Sequence, residues 1–480
     1  MVDLIDYGRK SWHIGVKEHP GSPSIEKHSP LTDQKIAEFF LGRDTEIASL
    51  VELARDAQNS WAGLTFSKRG NLLREACKLL EAKSEVISQV VHLETGKSLQ
   101  VARGELEAAI DFGFLMAAHG RLPIGSVLPS AIPGKDIYVT REPHGVCALI
   151  CSFNTPLPNY AWKAFPALIS GNTAILKPSP HTPFSSAVFG ETLLEAGVPT
   201  GVFNVIQGDS LTGKLLLNSE IDLVSFTGSN KVGKLISNVA GKRLIRTILE
   251  LGGSNPFVVF DDANLTNSVE FAIQSSFSNS GQRCAAGSRL LLQKSISEDF
   301  LSILQAKFRD LKFGVNQNAF VGPVISPKES ARLKTYLDEC QNLGAKLVPL
   351  GILDGISQSV VQPHLVIGLD PSTEHATKEI FGPIVRVFTF KTDAEAILLA
   401  NSTKFGLTAA LWTQDSERAR RVAKQISAGV VNINGPTHGA EPNMPFGGVK
   451  SSGNGSREAG IECLNFYSEI KVTSTYHQNP

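Results

Sequence analysis

Val146-Cys147-Ala148-Leu149-Ile150-Cys151-Ser152-Phe153-Asn154-Thr155-Pro156-Leu157 is the stretch whose reading decides the fold. Its first five residues are apolar without alternation, the pattern of a strand buried on both faces. Outward from it, similar β-rich runs recur at 173–176, 203–206 and 223–226, separated by helical stretches at 160–169, 185–196, 211–217 and 231–239. Strands alternating with helices of that length predict a parallel sheet covered on both faces, an α/β dinucleotide-type unit. A second alternation begins near Asn255, with strand-like 257–260 and 289–293 and helical 267–278 and 298–311, and it continues past Ala400. Toward the N-terminus, 45–61 and 67–94 carry apolar residues at three- and four-residue spacing and read as helices, after a polar stretch broken by Pro20, Pro23 and Pro30. Segments 135–140 and 467–475 each alternate in the β manner and are expected to pair as an outlying sheet of the kind that serves subunit contacts.

At 480 residues the chain exceeds one ordinary core, so two large domains or one elaborated α/β unit are expected. Forty-six basic residues balance 46 acidic ones, with 42% hydrophobic and 19% charged, which gives no electrostatic bias toward nucleic acid. No apolar run approaches the roughly 20 residues of a membrane span, and residues 1–10 lack a signal-peptide core. The expectation is a cytoplasmic protein. Six scattered cysteines, at 77, 147, 151, 284, 340 and 463, form neither a disulfide framework nor a metal-ligand spacing, so reduced thiols and no metal site are expected.

The chemistry concentrates in two Gly-flanked turns. Cys284 stands in Ser280-Gly281-Gln282-Arg283-Cys284-Ala285-Ala286-Gly287-Ser288-Arg289, after a helix and before a strand, where backbone amides can hold an oxyanion. A thiol of ordinary pKa, about 8.5, is only slightly ionised at neutral pH, and adjacent Arg283 is expected to raise the thiolate fraction. Glu250 ends an apolar run before Leu251-Gly252-Gly253. Desolvation there raises a carboxyl's pKa toward the range useful to a general base. Asn154 follows an apolar strand and offers a neutral donor. Gly228 and Ser229 close a strand and open a helix whose first amides can face a pyrophosphate, although G-x-G-x-x-G is missing. Lys177, at the end of a buried strand, suits ribose or phosphate contact.

The glutamate and cysteine segments resemble the aldehyde dehydrogenase superfamily, over nearly the whole chain. Further segments are similar in the same order: 150–157 to its oxyanion segment, Leu176-Lys177-Pro178-Ser179 to its adenosine-ribose strand, and Phe226-Thr227-Gly228-Ser229 with Gly233 to its phosphate-side turn. Glu379-Ile380-Phe381-Gly382-Pro383 is similar to the segment holding the nicotinamide ribose, and Pro445-Phe446-Gly447-Gly448-Val449-Lys450 with Ser452-Gly453 to the C-terminal signature. The resemblance implies an α/β fold with a Rossmann-type cofactor domain (1–125 and 146–250), an α/β catalytic domain (251–450) and a small β oligomerisation segment (126–145 and 451–480). It implies that Cys284 adds to an aldehyde, that hydride passes to NAD or NADP, and that Glu250 activates water to release the acid. Asn154, with the Cys284 amide, would hold the oxyanion. Lys177, Ser179, Pro180, Gly228, Ser229, Gly233, Glu379 and Phe381 would bind cofactor, and a homodimer or homotetramer is implied.

Departures narrow what carries over. Ser152 and Phe153 stand where Pro and Trp are common. Pro180 stands where NAD-preferring relatives often place a glutamate, so NADP or dual use is slightly favoured. Ser456 is one residue more than the commonest form, and Glu458 is therefore given no proton-relay role. Gly281-Gln282-Arg283-Cys284 and 434–442 look most like bacterial semialdehyde dehydrogenases, including those for α-ketoglutaric semialdehyde, so a carboxylated aldehyde is expected; sequence places no arginine or lysine in the pocket, and small aliphatic or sugar-derived aldehydes stay open. His438 and Glu441 read equally as shapers of a surface loop. A thiol hydrolase and an inactive binding or structural relative are the competing classes. The first would call for a histidine base, and none lies near Cys284 in sequence; the second would have lost Cys284, Glu250 or Asn154, and all three are present.

Overall fold

The computed structural model describes residues 13–17, 21–122, 124–317 and 319–477. Residues 1–10 and Pro20, interpreted above, lie outside them. The fold is α/β. Five parallel strands form one sheet in the order Phe203–Val205, Thr173–Lys177, Val146–Ile150, Leu223–Thr227, Arg246–Glu250. Every residue of Val146–Ile150 is buried, and successive side chains enter opposite cores. Cys147 and Leu149 join the cluster under helices Pro156–Ile169 and Phe66–Ala82, whereas Val146, Ala148 and Ile150 join the one containing Leu216 and Ile236 from the opposite face. An unbroken apolar run follows from two-sided burial, and truncating Leu149 to alanine would cost about 2–5 kcal/mol.

The chain runs from Val146–Ile150 outward to Thr173–Lys177 and Phe203–Val205, then returns to lay Leu223–Thr227 on the other side of Val146–Ile150. The order reverses at the first strand. In open α/β sheets a ligand crevice opens at that reversal, beyond the strands' carboxyl ends.

A second sheet has seven strands, in the order Lys346–Pro349, His364–Ile367, Ile384–Phe390, Arg289–Gln293, Pro256–Val259, Thr408–Trp412, Val430–Ile433. All pairs are parallel except the edge strand Lys346–Pro349. The two alternating segments far apart in sequence are hydrogen-bonded neighbours: Lys135–Pro143 pairs antiparallel with Ser468–Tyr476, and Ser126–Leu128 adds a third strand.

Two local expectations need correction. The periodic stretch 67–94 is two helices, Phe66–Ala82 and Ser84–Thr95, because Lys83 leaves the helical region (φ −96°, ψ 10°) while the apolar period resumes after it. The polar N-terminal stretch also holds a hairpin, Ser24–His28 with Lys35–Phe40. Among the described residues no helix is long and apolar enough to cross a membrane.

Candidate active site

The crevice at the strand reversal measures about 700 Å³ and is lined by Ile150, Lys177, Ser179, Pro180, Lys214 and Gly228, among others. Its walls are strand ends and the first turns of two helices. Ser229 caps Asn230–Arg243, its Oγ accepting from the Val232 amide (3.5 Å). Asp209 caps Ser210–Asn218, accepting from the Leu211 and Thr212 amides, and also pairs with Arg43 (3.1 Å). The expected cofactor residues thus divide by task. Lys177, Ser179, Pro180 and Gly228 line the crevice. Ser229 shapes the helix start, and Gly233 lies against Leu251, where a side chain would collide. Lys177 is not a free cation: Nζ donates to the carbonyls of Pro178 (2.7 Å) and Gly208 (2.8 Å), and burial lowers its pKa to about 8. Phe381, at a left-handed φ of 56°, sets its ring edge-on to Phe153, a crevice residue, at 5.8 Å.

The Glu250-Leu251-Gly252-Gly253 turn meets Glu379. The Gly253 amide donates to Glu379 Oε1 (3.1 Å), and a Cβ on Gly252 would occupy the space of that carboxyl. Burial raises Glu379 to about 7. Glu250 ends its strand fully enclosed, and neither of its carboxyl oxygens has a partner. Burial drives its pKa well above the usual carboxylate range; Glu458 adds to the rise and Lys163 opposes it. Two unsatisfied, buried carboxyl oxygens are expensive, which marks a position kept for a task.

Cys284 follows three residues in the left-handed region, Asn279 (φ 52°), Ser280 (58°) and Gly281 (66°). A Cβ on Gly281 would strike the Gly382 carbonyl, so this glycine fits both a φ and a close approach. Behind the thiol, the Cys284 carbonyl accepts from Asn255 Nδ2 (2.7 Å), which also holds the Ala286 carbonyl (2.9 Å). Beside it pack Trp162, Phe446 and Met444. The charged forms of Arg283 and the thiol attract each other, as expected, but that pull is outweighed. Burial, with the charges of Glu379 and Glu250, pushes the thiol up to about 12, and the Ala285 amide offsets this only in part. The resting group is therefore a thiol beside a raised carboxyl.

Asn154 sits on the third side. Its carbonyl accepts from Lys97 Nζ (2.8 Å) and Asn279 Nδ2 (3.0 Å), tying it to the turn that carries Cys284. Its side-chain oxygen accepts from Asn159 Nδ2 (3.5 Å), leaving its own amide nitrogen for another acceptor. Lys97 is itself held by both oxygens of Glu105 at 2.7 Å. Neither residue was singled out from sequence, where Glu94-Thr95-Gly96-Lys97 passes as an ordinary helix end. Lys163 was missed as well. It forms a buried ion pair with Glu458 and donates to Ser225 Oγ (3.1 Å). Glu458, set aside because of the extra Ser456, stands beside Glu250 after all: the Phe446 and Glu458 backbones exchange hydrogen bonds of 2.7 Å, which fixes the residue in spite of the insertion.

A model of the aldehyde dehydrogenase family matches residues 17–473. The chain belongs to that family. Betaine aldehyde dehydrogenase 1 of Rhizobium meliloti is 35% identical over 467 residues, covering 93% of each chain. Betaine aldehyde dehydrogenase of Staphylococcus aureus, solved in complex with NAD+, superposes with a TM-score of 0.94 at 31% identity, covering 98% of this chain and 96% of that one. An NADP-dependent enzyme of E. coli gives 0.91 at 33% identity, covering 95% of each. This member of the aldehyde dehydrogenase family is thus an NAD(P)-dependent oxidoreductase. Apolar walls, helix starts and a glycine-lined edge at the strand reversal fit a dinucleotide.

Proposed function

We propose that the chain oxidises an aldehyde to its carboxylic acid, with Cys284 as nucleophile, Glu250 as general base and Asn154 as oxyanion donor. The observation that carries this reading is the unpartnered, raised carboxyl of Glu250 standing near enough to Cys284 for its charge to act on the thiol. Glu250 accepts the thiol proton as Sγ bonds to the carbonyl carbon, giving a thiohemiacetal. The oxygen that gains charge is met by the Asn154 amide and by the Cys284 backbone amide, which donates to no protein acceptor among the described residues. One such donor is typically worth about 3 kcal/mol of barrier. Bound in the crevice, the nicotinamide dinucleotide supplies the hydride acceptor, held by residues around Lys177, Ser179, Pro180, Gly228 and, on the thiol side, Glu379 and Phe381. As hydride leaves the thiohemiacetal carbon a thioester forms, and Glu250 gives the thiol proton up to solvent. It then takes a proton from water as the water oxygen bonds to the thioester carbon. The C–S bond breaks, the sulfur recovers a proton from Glu250, and the acid leaves.

NADP or dual cofactor use is the proposed preference. Pro180 brings no charge to the crevice, Lys177 and Lys214 line it, and the carboxylate of Asp209 is already engaged by Arg43 and a helix start. A homodimer or homotetramer is proposed from the outlying sheet, which exposes Val127 (69%), Ile470 (64%) and Val472 (58%). Six unpaired thiols suit the reducing cytoplasm. A carboxylated semialdehyde is the proposed substrate class, on the likeness of residues 281–284 and 434–442 to bacterial semialdehyde dehydrogenases.

Following absorbance of reduced cofactor over an aldehyde panel, with NAD and NADP side by side, tests the reading. Cys284→Ala is expected to abolish turnover while cofactor binding persists. Glu250→Gln is expected to release one equivalent of reduced cofactor in a burst and then stall. An undiminished steady state in Glu250→Gln would sink its role as base.

A further inference from the structure

Arg283 stands next to the nucleophile with nothing to neutralise it. Its Nε is buried without a hydrogen-bond partner, and its guanidinium forms no hydrogen bond or ion pair among the described residues. The carboxylate that acts on it electrostatically, Glu105, has both oxygens on Lys97 Nζ at 2.7 Å. Nε is cut off from water with no acceptor in the chain, while the rest of the half-buried guanidinium faces the cavity, where an acceptor from outside the chain can meet it.

The side chain borders a cavity of about 660 Å³. Ser98, Gln100, Gln274, Ser278 and Gln317 line it with neutral polar groups; its charged groups are Arg283 and Arg103, and no carboxylate lines it. Arg103 is already paired with Glu85 at 2.7 Å. His438, the loop residue whose role was open from sequence, also lines it. Burial and the charge of Arg283 hold its ring down to about 4, and its buried Nε2 has no partner. The ring is neutral at physiological pH, so the free positive charge of this cavity is that of Arg283. Cys284 itself packs, with Trp162 and Met444, against an apolar cluster that includes Phe446.

We infer that Arg283 is the receptor for a carboxylate at the far end of the aldehyde substrate, with His438 packed beside it, so that the enzyme selects anionic aldehydes and rejects cationic ones. This rests on the aldehyde oxidation proposed above and narrows its substrate. It also sets the chain apart from its relatives named for betaine aldehyde: a quaternary ammonium group brought to an unpaired guanidinium meets like charge, the repulsive half of specificity. A carboxylate there gains charge-assisted hydrogen bonds from a planar donor.

The test compares kcat/KM for succinic semialdehyde, butanal and betaine aldehyde in the wild type and in Arg283→Gln, at saturating cofactor. The wild type is expected to prefer the semialdehyde over butanal, and butanal over betaine aldehyde. In Arg283→Gln the ratio of semialdehyde to butanal should fall about 10- to 100-fold, chiefly through KM, with betaine aldehyde improving relative to butanal. An equal fall for all three substrates would show that Arg283 acts on the thiol rather than on a carboxylate, and would overturn the proposal. If Arg283→Gln does not fold, the wild-type ranking decides: betaine aldehyde or butanal ahead of the semialdehyde overturns it. No reduction of either cofactor with any of the three would sink the dehydrogenase reading itself, a different failure.

Discussion

Two buried lysine–glutamate pairs stand at the candidate site, one tied to Asn154 and one beside Glu250, and they differ in what they can do. Lys97–Glu105 is saturated: Nζ holds both carboxylate oxygens and the Asn154 carbonyl, all within 2.8 Å. Lys163–Glu458 stands next to a carboxyl with no partner at all, Glu250, and both its members act on that group's proton affinity. The first pair can only hold; the second can bias where a proton sits. Buried pairs are poor sources of net stability, because desolvation offsets most of the attraction, yet breaking one leaves a costly orphan charge. A fold that keeps two of them at one site therefore uses them for placement and for proton affinity.

The comparison breaks most visibly at Lys97. Lys97→Met strands Glu105 in the interior and is expected to cost about 3–5 kcal/mol of unfolding free energy, measured by denaturant titration. Adding Glu105→Leu should recover most of that stability while turnover stays low, because the Asn154 carbonyl still lacks its donor. Recovery of both together would show that the pair merely stabilises and does not position the oxyanion amide.

Lys163–Glu458 is sharpened by pH rather than by denaturant. Glu250 works as a base once deprotonated, so the rate should climb as pH rises through its raised pKa. Glu458→Gln removes the like charge that helps to raise it, and the acid limb of kcat/KM should move to lower pH by about one unit. Lys163→Met removes the opposing charge and should move the limb upward. Limbs that do not move in either variant would separate this pair from the base.

These pairs also mark where sequence reading reaches its end. The α/β alternation was legible because strands such as Val146–Ile150 are buried on both faces and show it as uninterrupted apolar runs. Glu250, Cys284 and Asn154 were legible because each lies at a strand end or a glycine-flanked turn, where a polar residue has few ordinary reasons to be. Lys97 and Lys163 carry no such mark. Lys97 meets Asn154 across 57 residues, and Lys163 meets Glu458 across 295. Only the folded topology pairs them. The same limit applies to Arg283: adjacency in sequence suggested a thiolate-promoting cation, and the two groups do attract, but enclosure and three carboxyls, Glu379, Glu250 and Glu458, push the thiol the other way. The break at Lys83 was hidden for a related reason, since one non-helical residue leaves the apolar period on both sides intact.

The smallest expected effect is the most specific test of the bracing idea. Asn279 gives the Asn154 carbonyl its second hydrogen bond, at 3.0 Å, and occupies φ 52°. Asn279→Gly accepts that backbone conformation without strain and removes only the amide. One neutral hydrogen bond of this kind is worth about 1 kcal/mol, so kcat should fall about fivefold, with Lys97 still holding the carbonyl. Because Lys97 and Asn279 donate to the same oxygen, their losses should be more than additive: with both gone, Asn154 has no tether at its carbonyl, and the double variant should lose more than the product of the single effects. Strict additivity would mean that the carbonyl's two donors act independently of the oxyanion amide, and that the saturated pair beside Asn154 is structural after all.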